Sequence, residues 1–258
     1  MKWVLMNAAL TIVASAMAQT PQERGYAIAS EFARRDSGWG DVTAELTMIL
    51  RTPRGRERSR TMTVQVLEVP GDGDKTKLVF RRPRDLEGTT LLTFTHLTRR
   101  DDQWLFMPSL RRVKRVAANR RSASFMGSEF AYEDVGSQEL EKYEYGFVRA
   151  DQIDGAEVLV VERTPVDDNS GYARQFVWYD ASHYNIRRID YEDRSGRPLK
   201  TLYLRGYRQY NDRFWRPDEM MMVNHQTGAS TLLQWRNYRI GTGLDHEDFE
   251  PTRLEGTS

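Results

Sequence analysis

The residues that could carry out chemistry are few and scattered along the sequence. Gly127-Ser128-Glu129 comes nearest to a serine nucleophile motif, but it lacks the second glycine of Gly-x-Ser-x-Gly. Ser128 is therefore predicted to be a local hydrogen-bonding residue at the start of a helical turn. The four histidines show neither His-x-His nor His-x-x-x-His spacing, and no cysteine is present, so the sequence predicts no metal and no cofactor.

Two acidic groups are further candidates. Asp245-His246-Glu247-Asp248 could hold a cation, but a solvated acidic turn is the favoured interpretation. Glu133 and Asp134 are adjacent, so in a strand they would face opposite sides, which disfavours joint acid–base work. We expect them to pair with the arginine cluster at residues 111–115. The prediction is a protein that is not an enzyme; a lipid-acting hydrolase using Ser128 or the carboxylates at 245–248 is the less favoured alternative.

The first 18 residues have the features of a signal peptide. Lys2 supplies a positive charge, Val4 to Ala14 is apolar but too short to span a bilayer, and Ala16-Met17-Ala18 fits a cleavage site. No cysteine follows the apolar run, so a lipid anchor is not expected. The sequence thus predicts export to the periplasm and a single mature domain over residues 19–258.

Charge is balanced overall but unevenly distributed. From Arg51 to Arg121 the sequence holds 18 Lys/Arg and 8 Asp/Glu, a local excess of ten positive charges. This half could face anionic lipid headgroups or an acidic partner, or it could simply carry arginines on solvated strand faces. Nucleic acid is not expected as a partner, because the chain is predicted to be exported and no recognition motif appears.

The elements that must position these residues are mostly strands. Residues 21–35 predict one amphipathic helix, with Thr20 as N-cap and Pro21 in the first position. From Asp41 onward the apolar residues recur with a period of two, which predicts eleven to thirteen antiparallel strands joined as hairpins. Residues 103–116 are predicted as an aromatic hairpin, and residues 125–135 as a short amphipathic helical piece. Arg216-Pro217 indicates an edge or a bulge, because proline cannot donate to the ladder.

A sheet with this many strands is expected to curl, since strand twist accumulates across it. If its own helices do not fill the concave face, an apolar ligand cavity remains. Each apolar wall candidate could equally be ordinary core. The candidates are Phe32, Leu46, Met48, Met62, Val64, Leu78, Phe80, Leu92, Phe94, Trp104, Phe106, Phe125, Met126 and Phe130.

The chain resembles a known family over nearly all of residues 19–258. The resemblance is strongest in Trp104-Leu105-Phe106-Met107-Pro108, in Arg111, Arg112 and Arg115, and in residues 126–134. These segments are similar to outer-membrane lipoprotein-sorting proteins of the LolA-like superfamily, in the branch associated with transporters of the resistance-nodulation-division type. The resemblance implies an unclosed antiparallel β-barrel of about eleven strands wrapped around a helix, as in LolA and LolB, with an apolar cavity that takes acyl chains.

The predicted function is that of a periplasmic carrier, which is expected to be a monomer. It would bind a lipid or the acyl chains of a lipoprotein and hand them to an outer-membrane acceptor or a transporter. Arg111, Arg112 and Arg115 are the predicted contacts to a headgroup or a partner protein. The alternative from a different class is an accessory docking subunit of a transporter that carries no cargo.

Overall fold

The computed structural model describes residues 19–255, so the predicted signal peptide at residues 1–18 lies outside the described residues. One α-helix, α1, spans Pro21–Arg35. Thirteen β-strands follow: β1 Asp41–Arg51, β2 Glu57–Leu67, β3 Lys75–Arg82, β4 Thr90–Phe94, β5 Asp102–Met107, β6 Arg112–Arg115, β7 Tyr143–Ile153, β8 Ala156–Pro165, β9 Tyr172–Asp180, β10 Ile186–Asp193, β11 Pro198–Tyr210, β12 Phe214–Asn224 and β13 Ser230–Ile240. Within residues 19–255 no helix has the length and apolar character needed to cross a membrane.

All thirteen strands belong to one antiparallel sheet. Its order is β6-β5-β4-β3-β2-β1-β13-β12-β11-β10-β9-β8-β7, so nearly every neighbour in the sheet is also a neighbour in sequence. The order begins at β6 and finishes at β7, and the sheet is therefore open and not a closed barrel. The predicted mainly β, unclosed architecture is confirmed, with thirteen strands at the upper end of the predicted count.

Helix α1 begins where the sequence predicts because its first turn is capped from both sides. The Thr20 hydroxyl accepts a hydrogen bond from the Glu23 amide at 3.2 Å, and the Glu23 carboxylate accepts one from the Thr20 amide at 2.9 Å. This reciprocal capping satisfies amides that an isolated helix end would leave without partners. The helix packs on β7 and β8, and the ring of Phe32 is centred 5.9 Å from that of Tyr179 on β9.

Two hydrophobic clusters lie on opposite faces of the sheet. The main cluster includes Met48, Met62, Phe80 and Val177 and lies on the face that α1 covers, which we call the inner face. A smaller cluster on the other face, the outer face, is covered by the C-terminal segment through Phe249 and Leu254. The alternation of side chains along each strand explains why one sheet supports both clusters.

Gly25 lets α1 approach β7 closely. A Cβ atom at this position would lie 2.7 Å from the backbone carbon of Gly146 and from the nitrogen of Phe147. Gly25→Ala is therefore expected to destabilise the fold by about 1–3 kcal/mol, although alanine is the better helix former. Urea unfolding measures this, with Gln22→Ala on the exposed side of α1 as the control, expected within about 0.5 kcal/mol of wild type. A Gly25→Ala protein as stable as wild type would contradict the close approach.

Candidate functional site

A cavity of about 420 Å³ lies on the inner face, beside the C-terminal end of α1. Its apolar lining comes from α1 and from strands of both halves of the sheet, and includes Phe32, Val42, Val64, Val66, Ile186, Leu204, Met220, Trp215 and Trp235. This volume falls within the roughly 300–1,000 Å³ typical of small-ligand pockets. Two further depressions, of about 610 and 500 Å³, lie near Asp101 and are bordered largely by charged side chains, so they suit an apolar ligand less well.

The cavity exists because two neighbouring strands separate. β12 pairs with β11 along almost its whole length, from Asn224 to Phe214, but it pairs with β13 only from Glu219 to Val223. Pro217 lies just beyond the end of the β12–β13 pairing and has no N–H to continue it. The predicted edge at Arg216-Pro217 is thus a local one inside the sheet, and the cavity fills the gap that it leaves.

Charged groups surround the mouth of the cavity. Arg216 donates from Nη1 to the Asp36 carboxylate and from Nε to the Tyr238 hydroxyl, the latter at 2.7 Å. Burial raises the pKa of Asp36, against the opposing effect of Arg216. Burial also works to lower the pKa of Arg216, but Asp36 and Tyr238 outweigh it and that pKa is raised. Arg213 donates to the Ser37 carbonyl at 2.8 Å, so the mouth is a hydrogen-bonded frame with excess positive charge.

Ten of the predicted wall residues lie on the inner face. They are Phe32, Leu46, Met48, Met62, Val64, Leu78, Phe80, Phe125, Met126 and Phe130. Of these, only Phe32 and Val64 border the 420 Å³ cavity. The others pack against one another; Phe80 and Phe125, for example, are fully buried with ring centroids 6.1 Å apart. Their packing fills the part of the concavity that is closer to β3.

The other four predicted wall residues lie on the outer face. Leu92, Phe94, Trp104 and Phe106 belong to the cluster under the C-terminal segment. The ladder gives the reason: Leu78 pairs with Leu91 and Leu91 with Leu105, so these three face inward and their sequence neighbours face outward. The placement of the aromatic strand on the cavity side was therefore wrong.

The segment that crosses the inner face between β6 and β7, residues 116–142, differs from the predicted helical piece. In place of one amphipathic helix it forms separate 3-10 turns, including Phe125–Gly127 and Tyr132–Asp134, and Met126 adopts a left-handed conformation. The Met126 carbonyl accepts a hydrogen bond from Arg60, and the Glu129 amide donates to the Thr231 hydroxyl at 3.0 Å. This crossing segment covers the end of the inner face that is remote from the cavity mouth.

Asp134 and Glu133 have partners other than the predicted arginines. Asp134 forms an ion pair with Lys200 at 2.7 Å, with both side chains less than a tenth exposed. Asp134 also accepts a hydrogen bond from the Tyr172 hydroxyl at 2.8 Å, whereas Glu133 accepts from Ser170 and the Gly171 amide. The predicted pairing with residues 111–115 was wrong because the crossing segment turns both carboxylates toward β9 and β11.

A buried polar network on the inner face was not predicted. The guanidinium of Arg163 donates to the Gln175 side chain at 2.8 Å and lies 4.3 Å from the centre of the Tyr143 ring. The Lys200 ammonium lies 5.0 Å from the centre of the Tyr172 ring. The available signal was that Arg163, Gln175 and Lys200 occupy inward positions of otherwise apolar strands, where a polar residue requires buried partners.

The remaining candidates for chemistry have local roles. The hydroxyl of Ser128 is buried and donates to the Phe125 carbonyl at 2.7 Å, which stabilises the turn that ends at Ser128. His96 lies between the carboxylates of Asp72 and Asp102, at 2.7 and 3.3 Å. Over residues 19–255 no group of three or more His, Asp or Glu side chains is arranged to hold a metal ion.

Arg115 pairs with Asp102, whereas Arg111 and Arg112 lie exposed at the turn between β5 and β6. These three predicted contacts therefore lie at the β6 edge of the sheet, away from the cavity, whose lining comes from α1, β1, β2 and β10 to β13. Any role for them would be in contacts with the protein's surroundings and not in lining the cavity.

Comparisons with known proteins agree with this fold. A family model described as "Uncharacterized protein" matches residues 72–256. A solved domain named for outer membrane lipoprotein sorting, from Vibrio parahaemolyticus, is 45% identical with a TM-score of 0.89, covering 91% of this chain and 99% of that one. A DUF1329 family protein from Desulfovibrio piger is 26% identical with a TM-score of 0.87, covering 92% and 100%.

A more distant likeness extends the comparison to the level of the fold. A LolA superfamily protein from Nitrosomonas europaea is 19% identical with a TM-score of 0.72, covering 91% of this chain and 99% of that one. No curated protein sequence matches the chain.

Proposed function

Because this chain belongs to the family of outer membrane lipoprotein-sorting proteins and shares the fold of a LolA superfamily protein, we propose that it is a periplasmic carrier of lipid or lipoprotein acyl chains. The cavity between α1 and the separated strands β12 and β13 is the proposed binding site. The observation that carries the proposal is that about 420 Å³ of largely apolar space remains after the inner face has been packed.

The energetics of such a site favour an alkyl chain. Each methylene group that leaves water contributes about 0.8 kcal/mol, so ten buried methylenes contribute roughly 8 kcal/mol before the costs of association. Met220 and Trp235 supply a flexible thioether and a broad aromatic surface, which suit chains of varied shape. Nothing in this arrangement requires a bond to be made or broken, so the work is binding and release.

Release of the bound chain requires an outside partner, because the affinity that apolar burial supplies does not change while the cavity keeps its conformation. An acceptor must favour a conformation in which the chain binds less tightly. We assign contact with such a membrane partner or with lipid headgroups to the exposed arginines near β6, including Arg111, Arg112 and Arg115. The frame of Arg213, Arg216 and Asp36 at the mouth would meet the polar end of the cargo.

Filling the cavity tests the proposal. Met220 points into the cavity, whereas its neighbour Met221 faces the other side of β12. Met220→Trp is expected to lower the affinity for a fluorescent fatty acid at least about tenfold, since it displaces several buried methylenes. Met221→Trp is the matched control and should bind as the wild type does. Native mass spectrometry of the purified protein should show co-purified lipid in wild type and control only.

Three outcomes would count against the carrier. Equal fatty-acid affinity in both variants would place the ligand elsewhere. A lipid-free wild type that binds a transporter loop would favour the accessory docking subunit. Turnover of a lipid ester that Ser128→Ala abolishes would favour the hydrolase.

A further inference from the structure

Three hairpin turns at the same end of neighbouring strands form a strongly basic surface. We call residues 51–58, 82–87 and 108–112 the basic rim. They connect β1 to β2, β3 to β4 and β5 to β6, and these six strands are consecutive in the sheet. Neighbouring strands lie about 4.8 Å apart, so these turns follow one another roughly every 10 Å along one end of the strands. The second and third turns are close enough for Pro108 to approach Gly88.

The charge of this rim is largely uncompensated. It contains eight arginines, all exposed: Arg51, Arg54, Arg56, Arg58, Arg82, Arg84, Arg111 and Arg112. Its carboxylates are Glu57, Asp85 and Glu87, which leaves a formal excess of five positive charges. Arg51 pairs with Glu57 at 2.6 Å. Among residues 19–255 the other seven guanidinium groups have no ion-pair partner within 4.0 Å.

An exposed apolar side chain lies among these charges. Leu110 is 63% exposed at the tip of the turn between β5 and β6, directly before Arg111 and Arg112. A large exposed leucine flanked by cations suits a surface that is both anionic and apolar just below its charges, which describes a lipid bilayer. A folded acidic protein would explain the arginines but would leave Leu110 without a reason for its exposure.

We infer that the basic rim docks the protein on an anionic bilayer surface, with Leu110 entering the headgroup region. This contact does not involve the cavity, whose lining residue Val42 lies at the opposite end of β1 from Arg51. Nine residue steps along the strand separate them, or roughly 30 Å. If the proposed carrier function holds, a docked molecule therefore presents its cavity mouth away from the bilayer that it sits on.

Sedimentation with lipid vesicles tests the docking surface. The protein is expected to bind phosphatidylglycerol vesicles at low salt, to bind phosphatidylcholine vesicles weakly, and to be released as the salt concentration rises. Arg84→Glu/Arg112→Glu should lower binding to phosphatidylglycerol at least about tenfold, given the usual contribution of each cation near such a surface. Leu110→Ser should give a smaller loss, with the same fold-change at every salt concentration at which the wild type still binds.

The matched control replaces two arginines by glutamate at the other end of the strands. Arg236 and Arg239 are exposed on β13 near the cavity end, and Arg236→Glu/Arg239→Glu should retain most of the vesicle binding. Equal losses in both double variants, or equal binding to the two lipids, would overturn the proposal. So would an absence of vesicle binding together with rim-dependent cross-linking to an acidic protein. Fatty-acid binding in the cavity is measured separately, so the docking proposal and the carrier proposal fail independently.

Discussion

Asp134→Asn is expected to lower the free energy of unfolding by about 3–5 kcal/mol, because it leaves the Lys200 ammonium buried without its counter-charge. The two side chains are 2.7 Å apart and 8% and 5% exposed, so water cannot replace the lost partner. The Lys200 ammonium would keep neutral acceptors, the Glu129 carbonyl at 2.9 Å and the amide oxygen of the new side chain, but no counter-charge. Urea unfolding followed by tryptophan fluorescence measures the change.

A double-mutant cycle separates the interaction energy of the ion pair from the effect of changing each side chain by itself. Lys200→Met should also destabilise, since it removes the counter-charge of Asp134, but Asp134→Asn/Lys200→Met should recover much of the stability that either single change loses. The pair joins the crossing segment to β11, so Asp134→Asn should also speed hydrogen exchange in residues 125–135. Additive losses in the cycle would show that the two residues do not interact as the geometry requires.

The second large effect is a dependence of stability on pH that arises from Asp74. Burial, together with the nearby carboxylates of Glu139 and Glu68, raises the pKa of Asp74 to about 7. In the unfolded chain this carboxyl group ionises near pH 4. Between these two values the folded protein holds a proton that the unfolded chain has released, so stability falls as the pH rises from about 4 to about 7. The contribution is about 2–4 kcal/mol.

Asp74→Asn should remove most of this dependence. The variant should be more stable than wild type at pH 8 and similar to it at pH 4, because asparagine stays neutral throughout. Urea unfolding at a series of pH values measures the difference, with Asp85→Asn on the exposed turn between β3 and β4 as the control. Burial also raises the pKa of Glu133 and Glu139, so a shallower slope of the same sign should remain. An unchanged slope in Asp74→Asn would rule out this origin.

The helix and the strands could be predicted because their signals are local. The Thr20 and Glu23 capping pair lies within one turn, and the alternation along residues 42–50 identifies a strand with one buried face without any knowledge of its partners. Hairpin connections then nearly determine the order of the strands, since each turn makes sequence neighbours into sheet neighbours. The open sheet with one helix follows from these local rules.

The site depends on contacts that no local pattern specifies. β4 and β5 are apolar on both faces, so alternation could not show whether Leu92 and Trp104 or Leu91 and Leu105 face inward. The partners Asp134 and Lys200 are 66 residues apart, and their pairing depends on the path of the crossing segment. Pro217 indicated an interruption in the ladder, but not that the resulting gap would face α1 and remain empty of side chains.

The separation of β12 from β13 also determines how the cavity can respond to ligands of different bulk. Elsewhere along the sheet, moving two neighbouring strands apart would break ladder hydrogen bonds. Between residues 214–218 of β12 and the Trp235–Ile240 part of β13 no such bonds join the two strands. Moving these parts of β12 and β13 further apart would break the side-chain hydrogen bond from Arg216 to Tyr238, but no ladder bond beyond the five paired residues Glu219–Val223. Under the proposed carrier function, a gap of this kind would accept thin and branched tails with similar ease, so selectivity would have to come from the polar end of the molecule.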